Sequence, residues 1–199
     1  MTKTVELIMD IVSPNAYLVW QPLCDVVAAQ DASLEVTPVF LGGMHKLTGN
    51  APPFIRDAEV KGKNAYATLE MQRFIAKHSL NKYTMPPEFP FNTITLQRML
   101  VAVEGGERVA LTQTLLKLVW EDSVSASDPQ AIGRALTAAG HDGERLLAAT
   151  QEPQIKQALI DNTENAVKRG AFGIPTFYVE GEMYFGKERL GQIEEQLAG

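Results

Sequence analysis

A single cysteine, Cys24, in a chain of 199 residues excludes an intrachain disulfide. An excess of basic charge is also missing. Eighteen Lys and Arg stand against 24 Asp and Glu, a formal net charge of −6, with no basic cluster at a terminus or along one helix stripe. Nucleic acid and anionic membrane surfaces are therefore not expected partners. No apolar run approaches the length of a membrane span. The first ten residues carry one lysine and an apolar stretch broken by Glu6, too short for the apolar segment of a signal peptide, so a cytoplasmic protein is expected. The three histidines, His45, His78 and His141, share no ligand spacing with one another or with Cys24, and no metal is expected. Internal repeats, low-complexity segments and a dinucleotide glycine fingerprint are absent as well.

What is present is ordinary globular material, 45% hydrophobic and 21% charged. A chain of this length buries roughly 70% of its unfolded surface and needs no metal or disulfide to hold it together. Val5 to Met9 reads as a strand, and Ser13-Pro14 opens a helix with a capping serine and a proline at the first helical position. Tyr17, Trp20, Cys24, Val27 and Ala28 recur at helical spacing to about Gln30, with Pro22 expected to kink the segment. Leu34 to Phe40 reads as a second strand closed by Gly42-Gly43, followed by a loop through Gly49-Asn50 and Pro52-Pro53. From about Val60 the pattern is helical, broken near Met85 to Pro90, Gly105-Gly106, Ser127 to Pro129, Gly140 and Glu152-Pro153 into five or six helices. The last of these ends at Lys168-Arg169-Gly170. Thr176 to Phe185 then reads as a β-hairpin and Lys187 to Leu197 as a closing helix.

A βαβ start and a ββα end on either side of an all-helical block pair into one sheet, because the block has no strands of its own. The expected class is α/β, a thioredoxin-like fold with a large helical insertion. Residues 1–59 and 170–199 form the discontinuous thioredoxin-like domain and residues 60–169 the helical insertion.

Two places in this order offer chemistry. Ser13 stands at a strand-to-helix junction, where free N–H groups and a partial positive charge favour a thiolate. Serine is also a common cap in any protein, and the residue alone points no further. Gly173-Ile174-Pro175-Thr176 sets a proline at the mouth of a strand. A cis bond there leaves the Ile174 backbone open to a peptide-like ligand, although most X–Pro bonds are trans. Gly181 to Lys187 matches part of a P-loop, but Glu188 replaces the hydroxyl residue that holds magnesium and the intervening residues read as strand.

The segments Asp10 to Tyr17, Gly49 to Pro53, Glu70 to Phe74, Gly170 to Thr176 and Phe185 to Leu190, in this order along the whole chain, resemble the 2-hydroxychromene-2-carboxylate isomerase and kappa-class glutathione transferase family. That family belongs to the DsbA-like proteins, in which a Cys-Pro-x-Cys motif takes the place of Ser13-Pro14-Asn15-Ala16. With Ser13 and Ala16 there, disulfide exchange through attacking and resolving thiolates has no thiols to run on.

The resemblance implies that the thiol comes from bound glutathione, as cofactor, with Ser13 as the catalytic hydroxyl donating a hydrogen bond to its sulfur. It further implies that Ile174, followed by a cis Pro175, pairs its backbone with the cysteinyl part. Phe185, Gly186, Lys187 and Glu188 receive the γ-glutamyl end, Glu188 taking the α-ammonium. Asn50 and Lys61 lie toward the other end, Lys61 holding the carboxylate of a second, small aromatic substrate. The family more often has a small polar residue and Asp at the places of Lys187 and Glu188. Here the carboxylate is one methylene longer and a cation stands beside it, a partner for the glutathione α-carboxylate. The implied activity is glutathione-dependent isomerisation of an aromatic conjugated 2-oxo acid by reversible thiolate addition, in a homodimer. The alternatives are a kappa-like glutathione transferase and a non-catalytic thioredoxin-like binding protein.

Overall fold

The computed structural model describes residues 2–199. Strand β1 (Thr4–Met9) is followed by α1 (Pro14–Ala29), β2 (Ser33–Pro38), α2 (Leu41–Thr48) and the short α3 (Pro53–Arg56). Six helices come next: α4 (Lys63–Lys77), α5 (Ile94–Val101), α6 (Gly105–Trp120), α7 (Pro129–Ala138), α8 (Gly143–Ala149) and α9 (Pro153–Lys168). The chain closes with β3 (Thr176–Val179), β4 (Glu182–Phe185), a 3-10 turn (Lys187–Arg189) and α10 (Leu190–Ala198).

The four strands form one mixed sheet in the order β2-β1-β3-β4. β1 pairs parallel with β2, Leu7 opposite Val36, and antiparallel with β3, Leu7 opposite Phe177. Antiparallel β3 and β4 place Thr176 opposite Phe185. The chain ends thus meet in the middle of the sheet, because β1 and β3 are its most apolar strands. Leu7, Ile8, Met9 and Phe177 are fully buried, whereas β4 is a largely exposed edge.

α1 keeps the local rules that start it: Ser13 has extended backbone, φ −81° and ψ 116°, and its hydroxyl accepts from the Ala16 N–H with Pro14 in the first turn. The helix runs unbroken through Pro22 to Ala29. The second strand and the loop after it differ from expectation. β2 stops at Pro38, and Gly42-Gly43, read as closing the strand, lie inside α2. The cause is tertiary. The Phe40 ring covers Gly42, where a Cβ would stand 2.9 Å from it, and the buried Asp10 carboxylate accepts from the first amide of α2, Leu41 N–H, at 2.7 Å. α2 then ends at Gly49, whose φ of 71° suits glycine.

The helical block meets the sheet through buried polar clamps as well as apolar packing. From α5, the fully buried Gln97 donates to the carbonyls of Met9 and Val39, both at 2.9 Å, tying together the ends of the two parallel strands. From α6, Arg108 donates to the Val36 carbonyl. Trp120, fully buried at the end of α6, packs against Tyr17, Tyr83, Phe89 and Phe91 and donates its indole N–H to the Ile11 carbonyl at 2.9 Å. The loop between β1 and Ser13 is thereby held from below and from the side.

Candidate active site

Ser13 is 5% exposed at the N-terminus of α1. Its own N–H donates to the Asp10 carbonyl at 3.0 Å, and its Oγ accepts from Ala16 N–H at 3.3 Å. The hydroxyl also donates to the Ile174 carbonyl at 3.5 Å, across 161 residues of sequence. The N-terminus of α1 and this hydroxyl therefore lie beside the Ile174-Pro175 loop, whose peptide bond is cis. Among the described residues the Ile174 N–H meets no hydrogen-bond acceptor. Pro175 passes its carbonyl to Gly186 N–H at 2.9 Å, which ties this loop to the end of β4.

Asn50 reaches the same loop from the end of α2, its Nδ2 donating to the Phe172 carbonyl at 2.8 Å. Gly173 lies between Asn50 and Phe185. A Cβ at Gly173 would come within 2.9 Å of the Phe185 ring, so a side chain there would displace it. The rings of Phe172 and Phe185 meet at a tilt of 48° with centres 4.5 Å apart, and both remain partly exposed. Lys187 follows, nearly buried, its Nζ bonded to the half-exposed Glu188 carboxylate and 5.2 Å from the Phe74 ring centre. Ser13, Asn50, Ile174, Pro175, Phe185, Gly186, Lys187 and Glu188 are thus linked in one run of contacts, with Ser13, Ile174, Pro175 and Lys187 buried. Lys61 stands apart, exposed in the turn before α4, with no ion pair among the described residues.

Sequence reading did not single out Arg56, Asp57 or Lys63, nor a structural role for Asp10. Arg56 grips Asp57 with two hydrogen bonds of 2.9 Å, Lys63 bonds the same carboxylate at 2.9 Å, and Arg56 also lies 3.5 Å from the Asn50 Oδ1. The hydrogen bond from Arg56, then that from Lys63, hold the Asp57 carboxyl well below the usual carboxylate range. Adjacent charges at a short helix end carry no periodic signal, so spacing did not reveal this cluster.

Asp10 is wholly buried and forms no ion pair among the described residues. It accepts from Thr93 Oγ1 at 2.6 Å, Leu41 N–H at 2.7 Å and Val12 N–H at 3.1 Å, and so joins the Ser13 loop, α2 and the residue before α5. Burial pushes its carboxyl up to about 6, against an ordinary 3.8, and the three donors only partly offset that. A carboxyl raised on folding binds its proton more tightly in the folded chain. The stability tied to this group is therefore complete below about pH 4 and lost as pH rises through about 6, a difference of ~3 kcal/mol. Urea unfolding between pH 4 and 7 is expected to show this fall in the wild type and not in Asp10→Asn. Parallel pH profiles for the two would assign the effect elsewhere.

The chain's only thiol is poorly placed for chemistry. Cys24 lies about three turns along α1 from Ser13, and burial, then Asp25, pushes it up to about 11. It stays a protonated thiol at neutral pH. Tyr17, one turn beyond Ser13, keeps its phenol proton for the same reason, burial first and the Glu121 carboxylate at 3.2 Å second. A cavity of about 330 Å³ runs from Tyr17 and Trp20 to Leu80, Leu116 and Glu121 and includes no member of the Ser13 run of contacts. A smaller one, about 160 Å³, opens between α4 and the Lys187–Arg189 turn.

A family model described as the DSBA-like thioredoxin domain matches residues 4–198. Similar proteins include Glutathione S-transferase kappa 1 of Homo sapiens, 29% identical over 98% of this chain and 91% of that protein. They also include 2-hydroxychromene-2-carboxylate isomerase of Sphingobium xenophagum, 24% identical over 99% of each. Both belong to the family that the sequence motifs resemble. A solved structure of 2-hydroxychromene-2-carboxylate isomerase superposes with a TM-score of 0.84, covering 96% of this chain and 93% of that one at 20% identity. A probable DsbA oxidoreductase from Streptomyces coelicolor superposes with a TM-score of 0.69 at 19% identity. These two likenesses bear out the expected fold, a thioredoxin-like sheet with a large set of added helices.

Proposed function

The chain belongs to the DSBA-like thioredoxin domain family, and from that premise we propose that it is a glutathione-dependent isomerase of an aromatic conjugated 2-oxo acid. The observation that carries this reading is the Ser13 hydroxyl at a helix N-terminus, beside the Ile174 N–H that has no acceptor. An unpaired backbone donor next to a cis-proline loop fits the cysteinyl unit of a tripeptide laid along it as an added strand. When bound, glutathione supplies a thiolate that adds reversibly to the substrate's conjugated double bond and so permits rotation about it.

The chain's residues set the charge state of that sulfur. Lowering a thiol from about 8.5 by two units takes roughly 2.7 kcal/mol. The helix N-terminus contributes about 0.3–1 kcal/mol, up to ~2 when partly buried. A hydrogen bond from the Ser13 hydroxyl to an ionised group contributes about 1.5–3 kcal/mol. The two together suffice, and either alone falls short or only just reaches. Turning toward the sulfur costs the hydroxyl only a long 3.5 Å contact to Ile174. In this reading Asn50 fixes the loop, Phe185 and Gly186 flank the γ-glutamyl end with Lys187 and Glu188, and Lys61, free of ion pairs among the described residues, holds the substrate carboxylate.

A kappa-like transferase uses the same activated sulfur, and the 29% identity to kappa transferases supports it. Product analysis separates the two: isomerised substrate with glutathione recovered supports the isomerase, and a stable conjugate supports the transferase. A correctly folded protein that fails to bind glutathione in calorimetry overturns both and leaves a groove-binding protein. The same reading includes the cytoplasm as its location and a homodimer. Exposed Phe54, Ile55, Val60, Tyr66 and Leu69 on and around α3 and α4 support an apolar contact of that kind. Sedimentation at micromolar concentration is expected to give twice the chain mass, and a monomer would remove the dimer from the reading.

A further inference from the structure

Thr93 stands at the cap position of α5, where a threonine ordinarily turns its hydroxyl onto the first free amides of the helix. Here it makes no such bond. The preceding Asn92 accepts from the Ile94 N–H at 2.9 Å with its side chain. The Thr93 hydroxyl, on a residue only 1% exposed, instead donates to Asp10 Oδ1 at 2.6 Å, across 83 residues of sequence. A helix gives up stability when its cap residue bonds elsewhere, so the direction of this hydroxyl asks for another reason.

What it holds is the connection between β1 and Ser13. The same Asp10 oxygen accepts from Val12 N–H at 3.1 Å, and the Asp10 carbonyl accepts from Ser13 N–H at 3.0 Å. One turn along α5 from Thr93, on the same face, the fully buried Gln97 accepts from Ile11 N–H at 3.3 Å while its amide nitrogen donates to Met9 and Val39. The three amides that lead into Ser13 and include its own are therefore all committed, the first to α5 and the other two to Asp10. Leu96, Met99 and Leu100 already bury an apolar face of α5, and packing alone requires neither polar side chain. We propose that Thr93 is a positioning residue: from the helical block, through the Asp10 carboxylate, it fixes the Val12-Ser13 backbone and so the direction of the Ser13 hydroxyl. The inference rests on the glutathione reading above and adds that the activating hydroxyl is aimed from α5.

Three variants of the whole protein test it. Thr93→Val keeps the shape of the side chain and removes the hydroxyl, and Thr93→Ser keeps the hydroxyl and removes the methyl. Thr112→Val makes the first exchange at a fully buried threonine whose hydroxyl bonds within its own helix, to the Arg108 carbonyl. At saturating substrate Thr93→Val is expected to lower turnover about five- to tenfold, with the KM for glutathione within about twofold. Thiolate absorbance of the bound thiol is expected to titrate about half a unit higher, because a displaced hydroxyl donates less well to the sulfur. Thr93→Ser is expected to restore both, and Thr112→Val to leave both at the wild-type level. Wild-type turnover in a folded Thr93→Val, an equal loss in Thr112→Val, or no rescue by serine overturns the inference, and glutathione binding by the same proteins in calorimetry leaves the glutathione reading standing. If the valine variant does not fold, amide exchange in the wild type decides: protection of the Val12 and Ser13 N–H groups equal to that of β1 supports the inference, and exchange about a hundredfold faster overturns it. A folded wild type that binds no glutathione overturns both.

Discussion

Replacing Ser13 by alanine is expected to lower turnover at pH 7 by about 10- to 100-fold, the range set by one hydrogen bond to an ionised group. Glutathione affinity is expected to stay within about threefold, because the tripeptide backbone is held by the Ile174 loop and not by the hydroxyl. The bound thiol, followed by thiolate absorbance across pH, is expected to titrate one to two units higher than in the wild type. The same substitution removes the acceptor for Ala16 N–H. Loss of a cap costs about 1 kcal/mol, or roughly 2–4 °C in Tm for a chain of this size. Ser13→Gly separates the two effects: glycine at a helix cap costs only a few tenths of a kcal/mol relative to serine, so most of the stability is retained, but it has no hydroxyl for the sulfur. Equal turnover in Ser13→Gly and the wild type would remove the hydroxyl from the chemistry.

The largest expected loss of stability lies at Trp120. Trp120→Ala opens a cavity among Tyr17, Tyr83, Phe89 and Phe91 and strands the Ile11 carbonyl without its donor. Large aromatic truncations of this kind cost about 3–5 kcal/mol, roughly 10 °C or more in Tm. Trp120→Phe keeps a ring in the cluster but has no N–H, and a buried acceptor left unpaired costs about 1–3 kcal/mol. Because Ile11 lies two residues before Ser13, the phenylalanine variant is also expected to lose turnover out of proportion to its stability loss. Unchanged turnover in a folded Trp120→Phe would confine the residue to the core.

The two helices that flank the site show where local reading succeeds and where it stops. Ser13-Pro14 starts α1 because a capping hydroxyl and a proline act within one turn, and nothing distant contradicts them. Gly42-Gly43 carries an equally local signal, against a helix, and it is overridden. Asp10, from another element, accepts from the first amide of α2, Leu41 N–H, and the Phe40 ring fills the space a side chain at Gly42 would take. Two glycines cost about 2 kcal/mol in a helix, within reach of one charge-assisted bond and one half-buried ring.

The sequence by itself determined the order of the strands and of the helices other than α2 and α3, the Ser13-Pro14 start of α1 and the absence of a redox thiol pair, since each depends on periodicity, turn chemistry or residue type within a few positions, whereas the residues of the proposed site came from the resemblance of its ordered motifs. Only the tertiary structure decided which of them meet. Ser13 and Ile174 lie 161 residues apart, and the partners of Asp10 come from positions 41 and 93. Lys61 and Lys187 are both lysines near turns, yet one is exposed and alone and the other is buried, ring-stacked and paired with its neighbour. Burial and pairing are properties of the space between elements, fixed when β1 and β3 join the two ends of the chain, and no local pattern encodes them.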